Sequence, residues 1–223
     1  MRAVPPKSLK DHNRWPLWLT IAGNFAVFYA VAQSDAFMSI GLKGFITGAA
    51  NLLPVGLALI VTSIANGLLD AGMKARLVFL RWNHALPGHR AFSKYALADP
   101  RIDLARLKKS MGNKMPATPE DENRAWYRIY KEMETDPAIA QIHREFLFTR
   151  DYSAFAFLFL IGFGTASFFL VDATKVALTY CACLLLQFVI VRQAAATYGV
   201  RFVTTVLARK AAKAARALTK ATS

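Results

Sequence analysis

The chain is short of acid, cysteine and histidine, with 14 Asp plus Glu, two Cys and four His among 223 residues. Charge of either sign is scarce, at 19% against about 25% in an ordinary soluble domain. The two cysteines, Cys181 and Cys183, sit two apart in an apolar run. On a helix they point to different sides, so they make poor disulfide partners and read as small buried hydrophobes. No redox compartment follows from them. The histidines show no zinc-ligand spacing, which leaves no metal site to assign. Also missing are a Walker loop, a dinucleotide fingerprint, a Gly-x-Ser-x-Gly elbow and a His-Glu-x-x-His helix, and the apolar runs hold no acid and His pairs. No catalytic residue and no cofactor is signalled.

What the chain has is hydrophobicity and positive charge. It is 55% hydrophobic with a positive mean hydropathy, and it carries 28 Lys plus Arg for a formal charge of +14. Hydrophobicity on that scale points to a membrane, and the excess of cations points to anionic lipid or nucleic acid as a neighbour.

Four apolar stretches are long enough, or nearly so, to cross a hydrocarbon core of about 30 Å. The first is Trp15–Gln33, with Trp15 and Trp18 suited to an interfacial belt; the basic start and Ala30-Val31-Ala32 also mimic a secretory signal. The second, Gly44–Leu69, is longer than one crossing requires. It contains Asn51, Pro54 and Asn66, so it should tilt or kink, and the part before Pro54 is open to a re-entrant reading. Gly44 and Gly48, and Ser63 and Gly67, set small residues four apart, spacing that lets helices approach closely within one chain or between chains. The third and fourth, Ala154–Val171 and Val176–Val191, are joined by four polar-flanked residues and should be antiparallel neighbours. Gln187 in the fourth is read as a helix-to-helix hydrogen bond before a pathway lining.

Laid out this way, 26 of the 28 basic residues fall on one side and only Lys43 and Lys175 on the other. By the positive-inside rule that side is the cytosol. The expectation is an all-α integral membrane protein of the inner (cytoplasmic) membrane with four transmembrane helices in a 2+2 arrangement. A basic N-terminus (1–14) precedes the first pair (15–70), a helical cytosolic domain (71–152) the hairpin (153–191), and a basic amphipathic C-terminal helix (192–223) closes the chain with both termini cytosolic.

The middle segment carries clear helix starts. Asp99-Pro100 or Asp103 caps a helix that stops near Gly112, Thr118-Pro119-Glu120-Asp121 launches one to about Glu134, and Asp136-Pro137 launches another toward the third span. Trp126, Tyr127, Ile129 and Tyr130 form an aromatic stripe read as packing. Before them lies Trp82-Asn83-His84-Ala85-Leu86-Pro87-Gly88-His89-Arg90, an ordered loop whose His84, His89 and Arg90 are the candidate interaction residues. In the tail, Arg209, Lys213, Arg216 and Lys220 share one helical face and form a candidate lipid-binding or partner-binding stripe.

Three functions compete. The first is a homo-oligomer whose spans form a pore or membrane-disturbing complex under control of the cytosolic domain, such as a bacterial defence or stress effector. For it the packing or lining candidates are Gly44, Gly48, Asn51, Pro54, Ser63, Asn66, Gly67 and Gln187. The second is a membrane anchor that presents the basic domain to a soluble protein or, less favoured, to nucleic acid. The third is an interfacial enzyme acting on lipid through His84, His89 and Arg90.

Overall fold

The computed structural model describes residues 9–34, 38, 60, 64 and 67–221, and places side chains over 13–34 and 67–214 within those ranges. Among the described residues every regular element is helical. In chain order they are α1 (Leu9–Ala32), α2 (Ala71–Phe79), a coil of tight turns over 87–98, α3 (Leu104–Ser110), α4 (Pro119–Glu132), α5 (Pro137–Leu170) and α6 (Thr174–Ala221). Of these α1, α5 and α6 are long and apolar enough to cross a membrane. The second predicted span lies almost wholly outside the described residues, and with it Gly44, Gly48, Asn51, Pro54, Ser63 and Asn66.

Helix starts follow the local signals. Asp103 accepts from the Arg106 amide, Thr118 from the Asp121 amide, and Asp136 from the amides of Ala138 and Ile139. Each supplies an acceptor to N–H groups that no earlier turn can satisfy. Asp70 does the same for α2 through Met73. After α3 the chain turns through Gly112 at φ +68°, a left-handed geometry that favours glycine.

Two of the sequence boundaries disappear in the fold. The predicted helix from Asp136 and the third span are one helix, α5. The fourth span and the predicted C-terminal helix are likewise one, α6, unbroken from Thr174 to Ala221. At 1.5 Å per residue α5 is about 51 Å long and α6 about 72 Å. Both exceed a hydrocarbon core of about 30 Å, so each must run on beyond it.

Two buried cores lie at different heights along this hairpin. In the apolar half, Ile21, Phe25 and Phe28 of α1 pack on Phe155, Phe159 and Phe163 of α5 and on Tyr180 and Leu184 of α6. Phe28 stacks on Phe163 at 4.4 Å, and Phe25 meets Phe163 edge-on at 4.8 Å. Inside lipid such contacts gain shape complementarity and dispersion, with no transfer from water to add to them. Close approach of the hairpin depends on small residues, as the Cys181 thiol donates to the Gly164 carbonyl at 3.4 Å.

In the other half, here called the head, the core is built on Phe202, Val203, Val206 and Leu207 of α6, with Ile139 and Phe146 of α5. Around them wrap Phe92, Leu107, Trp126, Ile129 and Met133. Phe202 stands at the centre, stacked on His143 at 4.4 Å and edge-on to Trp126 and Tyr130, each at 5.2 Å. The aromatic stripe of α4 is therefore packing, with Tyr127 left exposed.

Candidate functional site

The junction between the two cores is where the chain is tied most densely by polar contacts. At the end of the apolar run in α5, Asp151 accepts from Arg150 at 3.0 Å and from Lys74 of α2 at 3.3 Å. Both cations have side chains about nine-tenths buried. A carboxylate held between two such cations is strongly favoured ionised, and removing it would strand both of them. Arg192 of α6 donates from Nη1 to the Val78 carbonyl at 2.9 Å, which satisfies an orphan acceptor in the last turn of α2. Gln187 of α6 donates to the Tyr152 hydroxyl of α5 at 2.7 Å, the helix-to-helix role expected for it. Asn13 of α1 donates to the Arg144 carbonyl of α5 at 2.7 Å. Four helices are thus tied together along this junction.

Aromatic packing closes the head side of the junction. Gly199 of α6 lies where a Cβ would come 2.7 Å from Phe79 Cζ and 2.8 Å from Phe146 Cε2. Only a glycine lets both rings reach the helix backbone.

The loop before the head brings His84, His89 and Arg90 together. His84, at φ +50°, accepts at its carbonyl from Arg90 Nη1 at 3.0 Å, and its ring pairs with Glu120. The rings of His84 and His89 are 5.2 Å apart. Among the described residues no three His, Cys, Asp or Glu side chains are grouped to hold a metal. The Glu120 carboxyl is held below its usual range, first by its own backbone N–H and then by the His84 ring. The contacts therefore staple the loop to the start of α4.

Glu122, two residues on, is buried and accepts from the amides of Phe92 and Ser93 at 2.8 and 3.1 Å. It caps the π-helical turn Ala91–Tyr95, whose free N–H groups would otherwise be buried unpaired. The acidic run Glu120-Asp121-Glu122 looks from sequence like a helix start alone. The signal for more is the spacing of Glu122, Ala125, Trp126 and Ile129, which puts this carboxylate on the buried face.

His143 lies in the head, before the apolar part of α5 begins. Burial against Phe202 pushes its imidazole down to about 4, with the nearby Arg150 charge adding to the effect. Its Nδ1 is 3.1 Å from the Tyr130 hydroxyl, itself pushed up by burial. On the opposite side of the head, Arg101 donates through Nε and Nη2 to the Asp99 carboxylate and through Nη2 to Thr204 of α6. That guanidinium holds the Asp99 carboxyl well below the usual carboxylate range.

The basic stripe of the tail is only partly free. Arg209 pairs with Asp136 at 3.5 Å, and its neighbour Lys210 with Glu132 at 2.5 Å, so these two fasten α6 to the ends of α4 and α5. Lys213 is exposed. The side chains of Arg216 and Lys220 lie outside the described residues. Gly67 has open space around it.

A groove of about 640 Å³ opens between α1 and α6 in the apolar half, lined in part by Thr20, Asn24, Thr179 and Gln187. Thr20 donates to Leu17, Asn24 to Thr20 and Thr179 to Lys175, all at backbone carbonyls 2.8 Å away. Gln187 is engaged by Tyr152, while the Tyr180 hydroxyl, which also lines the groove, is buried without a hydrogen-bond partner among the described residues.

Compared with models of known protein families, with curated proteins and with solved structures, the chain matches none.

Proposed function

We propose that this chain is a membrane anchor that holds a packed basic domain at a fixed height and orientation on the cytosolic face of the inner membrane, for recognition by a soluble protein. The observation that carries this reading is the continuity of α5 and α6, each of which passes from the apolar core into the head core without a break. A hinge or flexible linker would have left the head free. Instead the junction of Asp151, Lys74, Arg192 and Gly199 braces it.

The same reading places four crossings in the chain. Asn13 at the start of α1 touches Arg144 at the head end, while Phe28 near its finish touches Phe163 and Tyr180 at the far end. Lys74 at the start of α2 is again at the head end, on Asp151. On this reading the stretch 44–69, whose hydropathy suits a crossing, supplies the return. Both termini then share the side of the head, which the positive-inside rule makes cytosolic.

A second reading, an oligomeric pore or membrane-disturbing assembly, draws on the open groove between α1 and α6, which a helix of a second copy would cover. Thr20, Asn24 and Thr179 in that groove donate to the chain's own backbone and Gln187 to Tyr152, and this weighs against a water-lined path.

Two measurements on the full chain in liposomes separate the readings. Spin labels on exposed head and hairpin-turn positions, such as Arg106 and Thr174, should give one narrow distance distribution, and entrapped dye should stay inside. A broad distribution would refute a fixed orientation, and dye release would transfer the case to the pore.

A further inference from the structure

Where the chain enters α2, a cavity of about 490 Å³ is walled by Leu69, Met73, Leu77 and Leu80 and by Phe157 from the apolar part of α5. Arg76, Arg81 and Trp82 complete its lining. The volume is in the range of small-molecule sites, and its walls are almost entirely apolar. Two features separate it from ordinary lipid-exposed surface. The helix ends at Leu80 in a left-handed conformation, φ +50°, which a leucine adopts only under constraint. That reversal brings the Trp82 ring back to 5.9 Å from the Arg76 guanidinium, with the indole 81% exposed.

The second feature is charge. Lys74 and Arg150 share Asp151, Arg101 has Asp99 and Arg209 has Asp136. Neither Arg76 nor Arg81 has a carboxylate within ion-pair distance among the described residues. Two uncompensated guanidinium groups therefore stand at the mouth of an apolar cavity, at the level where α5 leaves its apolar run. A ligand that satisfies both parts must carry an anionic oxygen-rich head on a hydrocarbon chain. Arginine suits a phosphodiester because its fork donates two parallel hydrogen bonds. Exposed indole at this depth suits the interface.

We propose that the elbow between α2 and the loop after it is a binding site for one anionic phospholipid, with its phosphate on Arg76 and Arg81 and an acyl chain against Phe157, Leu77 and Leu69. This site is distinct from the tail stripe of Arg209 and Lys213, and it does not depend on the anchor reading.

Native mass spectrometry of the full chain released from mild detergent, titrated with dioleoyl phosphatidylglycerol and with dioleoyl phosphatidylcholine, tests this directly. The two lipids share acyl chains and differ in net charge. One phosphatidylglycerol should be retained about thirtyfold more tightly than phosphatidylcholine, and the pair R76Q/R81Q should weaken it about thirtyfold, to the level of phosphatidylcholine. K213Q should keep the preference, and inorganic phosphate should not displace the lipid. Equal retention of the two lipids by the wild type would overturn the site whether or not any variant folds. So would a preference that survives R76Q/R81Q or is lost in K213Q. Displacement by inorganic phosphate would overturn the lipid assignment in favour of a free anion.

Discussion

Replacing Gly199 by alanine sets a local gain against a tertiary loss, and the structure says which wins. In the interior of a long helix, Gly→Ala should stabilise by roughly 0.5–1 kcal/mol, because alanine loses less backbone entropy on folding. At 199 the new methyl would meet Phe79 and Phe146 at 2.7 and 2.8 Å, inside the closest approach real side chains make. Phe146 is 6% exposed and edges a packed core, so its ring cannot swing out without opening a void. Overpacking of this kind costs about 1–3 kcal/mol, so against the propensity gain the net loss lies between about 0 and 2.5 kcal/mol, centred on about 1 kcal/mol. Gly162 is the internal control, since a Cβ there meets nothing within 4 Å. Thermal unfolding in mild detergent should place Gly199→Ala below the wild type and Gly162→Ala at or above it. Amide exchange should accelerate over 71–79, the helix that Phe79 anchors. If Gly199→Ala were as stable as the wild type, the closure of α2 on α6 described above would be refuted.

Two further substitutions probe the head. His143 has a folded pKa of about 4 against 6.5 when free, so the unfolded chain takes up a proton across that window while the folded chain refuses it. Stability supplied by the neutral ring is present above pH 6.5 and lost as pH falls to about 4, by about 1–3 kcal/mol after allowing for partial solvent screening. His143→Phe, which keeps a flat ring on Phe202, should flatten the stability profile between pH 6.5 and 4; an unchanged slope would assign the acid sensitivity elsewhere. Glu122→Leu removes the single oxygen, Oε2, that accepts from the amides of both Phe92 and Ser93, and should cost about 1–3 kcal/mol. Exchange protection of those two amides is the specific readout, and protection equal to the wild type would sink this role.

Features that depend on neighbouring residues in the chain were legible in the sequence. The caps at Asp103, Thr118 and Asp136, the stop at Gly112 and the three described spans all rest on hydrogen bonds or hydropathy within a few turns. The division of the chain at Arg192 was not a structural boundary. Hydropathy falls there because the surroundings change, yet nothing in the sequence 188–196 interrupts backbone hydrogen bonding, and α6 continues. The tail stripe read as one free basic face, but Arg209 turns to Asp136 because the start of α5 is brought beside it by the hairpin. The cluster of His84, His89 and Arg90 stands out in the sequence through its Pro-Gly turn. That it is stapled by Glu120 required knowing where α4 begins in space.

By itself the sequence determined that this is a helical chain with membrane-crossing segments, because length, apolarity and caps are local quantities that hold whatever the helices pack against. Only the tertiary structure decided that α5 and α6 join two cores into one continuous body, and that Glu122 and His143 are buried. It also decided that Gly199 admits two phenylalanines and that Arg76 and Arg81 stand at an apolar cavity with no acid partner among the described residues. Each of these depends on which residues from distant parts of the chain meet. That is set by the summed packing of whole helices, and no short window of sequence contains it.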